Sequence, residues 1–186
     1  DPVCLSDFDS YIAAMKDVHV LVDHEERKAR IANQLENVAA TKQLKPVADD
    51  SLLDEVTGLV EWPNVIMGQI ETEFMSLPPE VLVTSMRVHQ KFFALSQKGA
   101  TENLAPFFMT VTNRRSDLVN DKLIAAGNER VLRARLADAK FFYEQDKQTP
   151  MDSLAEKLEV ITFYEGLGSV ADKAERMAAL AGAIAN

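Results

Sequence analysis

The sequence predicts an α+β fold whose first two-thirds mixes strands with helices and whose last third is helical. Three observations carry this. Short β-prone runs at 65–70, 91–96 and 106–112 interleave with helical periodicities and form no repeating βαβ unit. Beyond Arg115 the texture changes to capped helical segments, which divides the chain into an α+β module over 1–115 and a helical region over 116–186, expected to be cut off at its C-terminal end. The 186 residues are 47% hydrophobic and 26% charged, the balance of a folded chain with one sizeable core or two small domains.

In chain order, residues 8–15 carry a helical pattern, and Val18, Val20 and Val22 alternate with His19 and Leu21 as a short strand would. Residues 25–43 are charged and Ala-rich, with Ile31, Leu35 and Val38 along one face of an amphipathic surface helix. Pro46 breaks it, and Asp49-Asp50-Ser51 supplies N-caps for a helix over 52–60. Pro63 ends that helix, and 65–70 reads as a strand. Leu77-Pro78-Pro79-Glu80 opens a helix over 81–88, because proline in a first turn removes an N–H that has no partner there. The runs 91–96 and 106–112, joined by a polar segment with Lys98-Gly99, predict a hairpin. Ser116-Asp117 caps a helix that Gly127-Asn128 interrupts or re-caps before it resumes to about residue 146. Pro150 and Asp152 start another, and Gly166-Leu167-Gly168 breaks the chain again. Ser169 caps a last helix with Val170, Ala174, Met177, Ala181 and Ile184 on one face.

Several function classes are excluded. A net charge of −9 argues against non-specific adhesion to nucleic acid or membrane, while leaving room for a local basic face. No apolar run reaches the about 18 residues that a membrane-spanning helix needs. Cys4 is the single cysteine, so neither an internal disulfide nor a thiolate metal site can form. With an acidic, polar start in place of a secretory signal, a reducing cytoplasm is expected. The chain begins at Asp1 and stops inside a helical pattern, as expected for a piece of a longer protein. His19, His24 and His89 form no His-Glu-x-x-His motif and no His-Asp pair, so the stretch around Asp23-His24 reads as a solvated strand-to-helix junction and no metal is expected. No Gly-x-Ser-x-Gly, Walker lysine or activated cysteine is present.

Gly166-Leu167-Gly168-Ser169-Val170-Ala171 fits Gly-x-Gly-x-x-Ala, the pattern that brings a pyrophosphate onto a helix N-terminus. Residues 154–158 before it read as helix, however, and the acidic residue required about 20 positions later falls near or beyond Asn186. A helix-turn-helix corner fits better, and no cofactor is expected.

The stretch 114–140 stands apart. Seven cations (Arg114, Arg115, Lys122, Arg130, Arg133, Arg135 and Lys140) face four carboxylates, so it carries +3 while the rest carries −12. At about 100° per residue, Arg130, Arg133 and Lys140 project from one side of a helix, with Phe141 near Arg130. Leu132, Leu136, Ala139 and Tyr143 form the opposite stripe, and Arg135 falls toward it, where a guanidinium would need a carboxylate. Such a face suits RNA, since cations meet phosphates and an aromatic ring can stack on an unpaired base; solvated arginines paired with nearby acids are the other reading.

Longer blocks carry a resemblance. Leu77-Pro78-Pro79-Glu80-Val81-Leu82 and Met86-Arg87-Val88-His89-Gln90-Lys91-Phe92-Phe93 resemble the β subunit of bacterial heterotetrameric glycyl-tRNA synthetase. So do the run from Gly127-Asn128-Glu129-Arg130 through Ala139, Phe141-Phe142-Tyr143, and Leu167-Gly168-Ser169 with Asp172-Lys173. The resemblance implies a ligase for aminoacylation in which the α subunit uses ATP and magnesium to form the glycyl adenylate, while the β subunit binds tRNA. It implies that 1–115 is similar to a domain of the phenylalanyl-tRNA synthetase β chain and that 116–186 enters a helical region similar in fold to HD proteins, without their His-Asp chemistry.

Its expected partners are glycine tRNA, the α subunit and the remainder of the β chain, with no membrane. Arg114, Arg130, Arg133 and Lys140 become the candidate phosphate contacts and Phe141 the stacking candidate. His89, Gln90 and Lys91 are candidate polar contacts at a helix-to-strand junction. Phe92 and Phe93 are expected to alternate between core and partner surface. No catalytic residue is assigned. The alternative is a structural or assembly module that meets the α chain or the rest of β through Phe141 and the helix over 178–186, with no RNA contact of its own.

Overall fold

Side-chain caps set the helix starts in the computed structural model, which describes residues 5–97 and 103–185. Asp7 caps α1 (Phe8–Asp17) and Asp23 caps α2 (His24–Ala40), each carboxylate accepting a backbone N–H at 2.8 Å. Strand β1 (Lys45–Pro46) follows. Asp49 then caps α3 (Asp50–Leu59) through the Leu52 N–H at 2.9 Å. Strand β2 (Pro63–Gln69) leads into a 3-10 turn, Thr72–Ser76, and then α4 (Pro79–Gln90), with proline in its first turn and Lys91 left-handed at its end. After β3 (Phe93–Ser96) and β4 (Leu104–Asn113), Asp117 accepts the Val119 N–H at the start of α5 (Leu118–Gln148). Then come α6 (Met151–Glu156), a 3-10 turn at Lys157–Val160, β5 (Thr162–Tyr164), β6 (Gly168–Ser169) and α7 (Val170–Ala185).

Contacts divide the chain into two units, Asp1–Lys140 and Phe141–Asn186. The secondary structure changes character earlier, after β4. In the first unit an antiparallel sheet runs β1-β3-β4-β2, with Met67 opposite Met109 and Phe93 opposite Met109 on its other side. Side chains alternate across it. Val65, Phe93, Leu95, Ala105 and Met109 bury against Ile31, Leu35 and Ala39 of α2 and Leu52 and Val56 of α3. Phe108 faces the other way and stacks on Phe92 at 4.4 Å. Further buried residues come from α4 (Leu82, Met86), the first 3-10 turn (Phe74) and α5 (Leu132, Leu136). With both faces covered, Phe92 and Phe93 are both buried, and neither meets a partner surface.

In the second unit β5 and β6 pair as a small antiparallel hairpin beside α7. No described residue from 141 to 185 is buried, and Phe163, Tyr164, Met177, Leu180 and Ile184 are all exposed.

The α+β class and the β3–β4 pairing match the sequence reading; Lys98-Gly99 lies outside the described residues, as does Cys4. Four elements differ. Residues 18–22 form no strand: Leu21 makes one backbone bond, to Glu61, and His19 sits at φ 66°, which no ladder accommodates. Pro46 lies within an edge strand, where its missing N–H costs the sheet nothing. Helix α5 runs unbroken through Gly127-Asn128, because the Asn128 side chain donates back to the Ile124 carbonyl and does not cap. Gly166-Leu167-Gly168 turns a hairpin, with both glycines at φ near 80°, in place of a helix-turn-helix corner. The last third therefore contains strands as well as helices.

Candidate nucleic-acid interface

Leu132 and Leu136 anchor α5 in the core of the first unit, and this sets the direction of every other side chain on the helix. Lys122, Arg133 and Lys140, spaced 11 and 7 residues apart, fall in a row along one flank. Arg130 lies beside the row, further from the buried stripe. Two of the row are paired with the 3-10 turn and its approach: the Arg133 guanidinium donates to Glu71, and the Lys140 ammonium meets Glu73 at 3.2 Å. Lys140 also lies 5.8 Å from the centre of the Phe74 ring. Glu71 and Arg133 line a cavity of about 200 Å³ together with Phe74, Leu132 and Leu136.

Arg130 and Lys122 are exposed and have no carboxylate at ion-pair distance among the described residues. Arg135 is exposed and has no carboxylate at ion-pair distance among the described residues, so the partner that its place toward the apolar stripe called for is not needed. Arg114, half-buried after β4, reaches Asp117 and Asp121 only at 3.9 Å. The Asp117 carboxyl is held below the usual carboxylate range, first by the Asn120 side chain and then by backbone N–H groups at the helix start.

The remaining candidates do not join this row. His89 and Gln90 end α4, and Lys91 pairs with Glu55 of α3 at 2.6 Å, so that lysine braces two helices. Phe141 belongs to the second unit, where it is exposed and stands edge-to-face with Phe142 at 5.4 Å. The Gly166-Leu167-Gly168 motif offers no open phosphate cradle at the start of α7. The Asp172 carboxylate accepts both the N–H and the hydroxyl of Ser169 and fills the space beside Gly168, and those bonds hold its pKa below the usual range.

The cations of α5 are legible in the sequence and their acidic partners are not, because Glu71 and Glu73 lie more than 60 residues away in the chain. Among the described residues no cluster of three or more histidine, cysteine or carboxylate side chains is placed to hold a metal ion. No helix among them is long and apolar enough to cross a membrane. Chemically, the flank offers guanidinium and ammonium groups to anionic oxygens, with two of its four cations already engaged by carboxylates.

Comparison with known proteins covers the whole chain. Residues 1–186 match the family described as glycyl-tRNA synthetase beta subunit. A glycine–tRNA ligase beta subunit of Rhodospirillum centenum is 45% identical over 185 residues, which is 100% of this chain and 26% of the relative. That of Bacillus subtilis is 45% identical over 172 residues, 92% of this chain and 25% of the relative. That of Synechocystis is 44% identical over 184 residues, 99% and 25% respectively. The chain thus spans about a quarter of the length of these relatives.

Proposed function

The chain belongs to the glycyl-tRNA synthetase beta subunit family, and on that premise we propose that it supports the ATP-dependent attachment of glycine to tRNA by contacting the tRNA backbone through α5. The observation that supports this most is the flank itself: Lys122, Arg130, Arg133 and Lys140 on one side of a helix in a chain of net charge −9. A polyanion gains from such a row by releasing condensed counterions, and local concentration of charge matters more than the global sum. In this reading the adenylate is made with ATP on the α subunit, and no residue here is catalytic. The partners are glycine tRNA, the α subunit and the remainder of a full-length β chain, in the cytoplasm. The same reading likens the first module to a domain of the phenylalanyl-tRNA synthetase β chain and the helical region to the HD fold.

Two observations favour a second reading, a structural or assembly module. Arg133 and Lys140 are already paired within the chain, and the second unit exposes a run of large apolar side chains. Binding of glycine tRNA to the intact chain, compared with the Arg130→Ala/Arg133→Ala variant, separates the two. The RNA reading expects at least a tenfold loss; equal binding in a folded variant leaves the assembly reading.

A further inference from the structure

We propose that a trough along the outer edge of β2 is a site for one unpaired nucleotide of an RNA strand, with its phosphate between Lys42 and Lys122. The proposal rests on the RNA-contacting reading above and names a second place for it. The trough has a volume of about 610 Å³, within the range of small-ligand sites, and lies wholly in the first unit. It is lined by Met67 of β2 and Phe107 of β4, by Lys42 just beyond α2, and by Lys122, Ala125 and Ala126 of α5.

Charge selects an anion. Both lysines are exposed, and neither has a carboxylate at ion-pair distance among the described residues; Lys42 only rests over the Phe107 ring at 5.5 Å. Glu129, the carboxylate that lines the trough, is engaged by the Gln69 N–H at 2.8 Å.

The strand edge selects a base over a peptide. Outward-facing backbone groups recur at every second residue of β2. Gln34 takes two of these positions, accepting from the Val65 N–H and donating to the Pro63 carbonyl, and Glu129 takes the Gln69 N–H. Met67, between them, presents one donor and one acceptor to the trough. An extended peptide needs several consecutive edge positions to pair, and here only one residue is open on both groups. A single base needs one donor–acceptor pair on its edge and an apolar surface near its face, and the trough offers the Met67 backbone and the Phe107 ring for these.

The test uses the intact 186-residue chain and a fluorescently labelled five-nucleotide single-stranded RNA, read by anisotropy across a salt series. Lys42→Gln/Lys122→Gln, with a folded circular-dichroism spectrum, is expected to weaken binding at least tenfold and to make the salt slope shallower by about 0.7 for the lost phosphate. Ala126→Trp keeps every charge and fills the trough; it is expected to weaken binding to the same degree. Unchanged affinity in either variant overturns the proposal, as does absence of binding by the unsubstituted chain at low salt. Displacement of the RNA by a glutamate pentapeptide at matching concentration also overturns it, in favour of an acidic peptide. The two RNA readings fail separately. Unchanged oligomer binding in the trough variants, with tRNA binding still lost in Arg130→Ala/Arg133→Ala, removes the trough alone. The converse pattern removes the contact through Arg130 and Arg133 and leaves the trough, with Lys122 the one α5 cation that both sites share.

Discussion

Arg133 on α5 and Glu71 at the approach to the 3-10 turn form an ion pair, and Lys140 repeats the arrangement with Glu73 at 3.2 Å. Both pairs are well exposed, with side-chain exposures from 37% to 59%, so each contributes about 0–1 kcal/mol and yields readily to a stronger anion. The turn's carboxylates therefore occupy the same donors that phosphate oxygens would use.

Removing those carboxylates should free the donors. Glu71→Gln/Glu73→Gln is expected to raise affinity for glycine tRNA about fivefold at low salt, equivalent to about 1 kcal/mol released from two surface pairs. Anisotropy titration measures it. A fall in affinity, or none, would mean the pairs serve only to hold the turn.

Gly68 faces the Phe108 ring so closely that an added Cβ would clash with its Cζ. That ring is fully buried and stacked on Phe92, so it has nowhere to retreat. Gly68→Ala should destabilise the chain by about 1–3 kcal/mol, seen as an earlier denaturant midpoint.

Arg27 is the strut of the loop before α2. It donates to the Leu21, Val22 and Thr57 carbonyls, tying that loop to α3. Arg27→Met keeps much of the aliphatic stem and removes the donors. The expected cost is about 2 kcal/mol, with amide exchange accelerating first around residues 18–23.

Acid should loosen the brace between α3 and α4. Partial burial raises the Asp49 pKa, but the Arg87 side chain, the Leu52 N–H and Ser51 outweigh it, leaving the carboxyl below its ordinary value of 3.8. The unfolded chain thus binds this proton more readily than the folded one. The stabilisation is present above about pH 4 and is lost as pH falls below it through the folded pKa. Asp49→Asn should lower stability at pH 7 and flatten the acid dependence of the denaturant midpoint.

Local rules read well from the sequence. Caps at Asp49 and Ser169, proline at the start of α4 and the core strands β2 to β4 follow from residue type and period, because each depends on neighbours a few positions away. What failed depended on distant partners. The valine alternation at 18–22 needed a neighbouring strand that the fold does not supply, and Gly127 was tolerated because the rest of α5 is strongly helical. The basic row of α5 was visible by counting, whereas its pairing with Glu71 and Glu73 was not. The trough is also hidden, since Lys42 and Lys122, 80 positions apart in the chain, line one trough only in the folded structure.

Whether α5 holds the tRNA backbone is tested by the salt dependence of glycine-tRNA binding by the 186-residue chain, beside Arg130→Ala/Arg133→Ala. Affinity is expected to fall steeply as salt rises, with a shallower slope and weaker binding in the variant. No binding at low salt by a folded chain, or identical slopes in chain and variant, would contradict it.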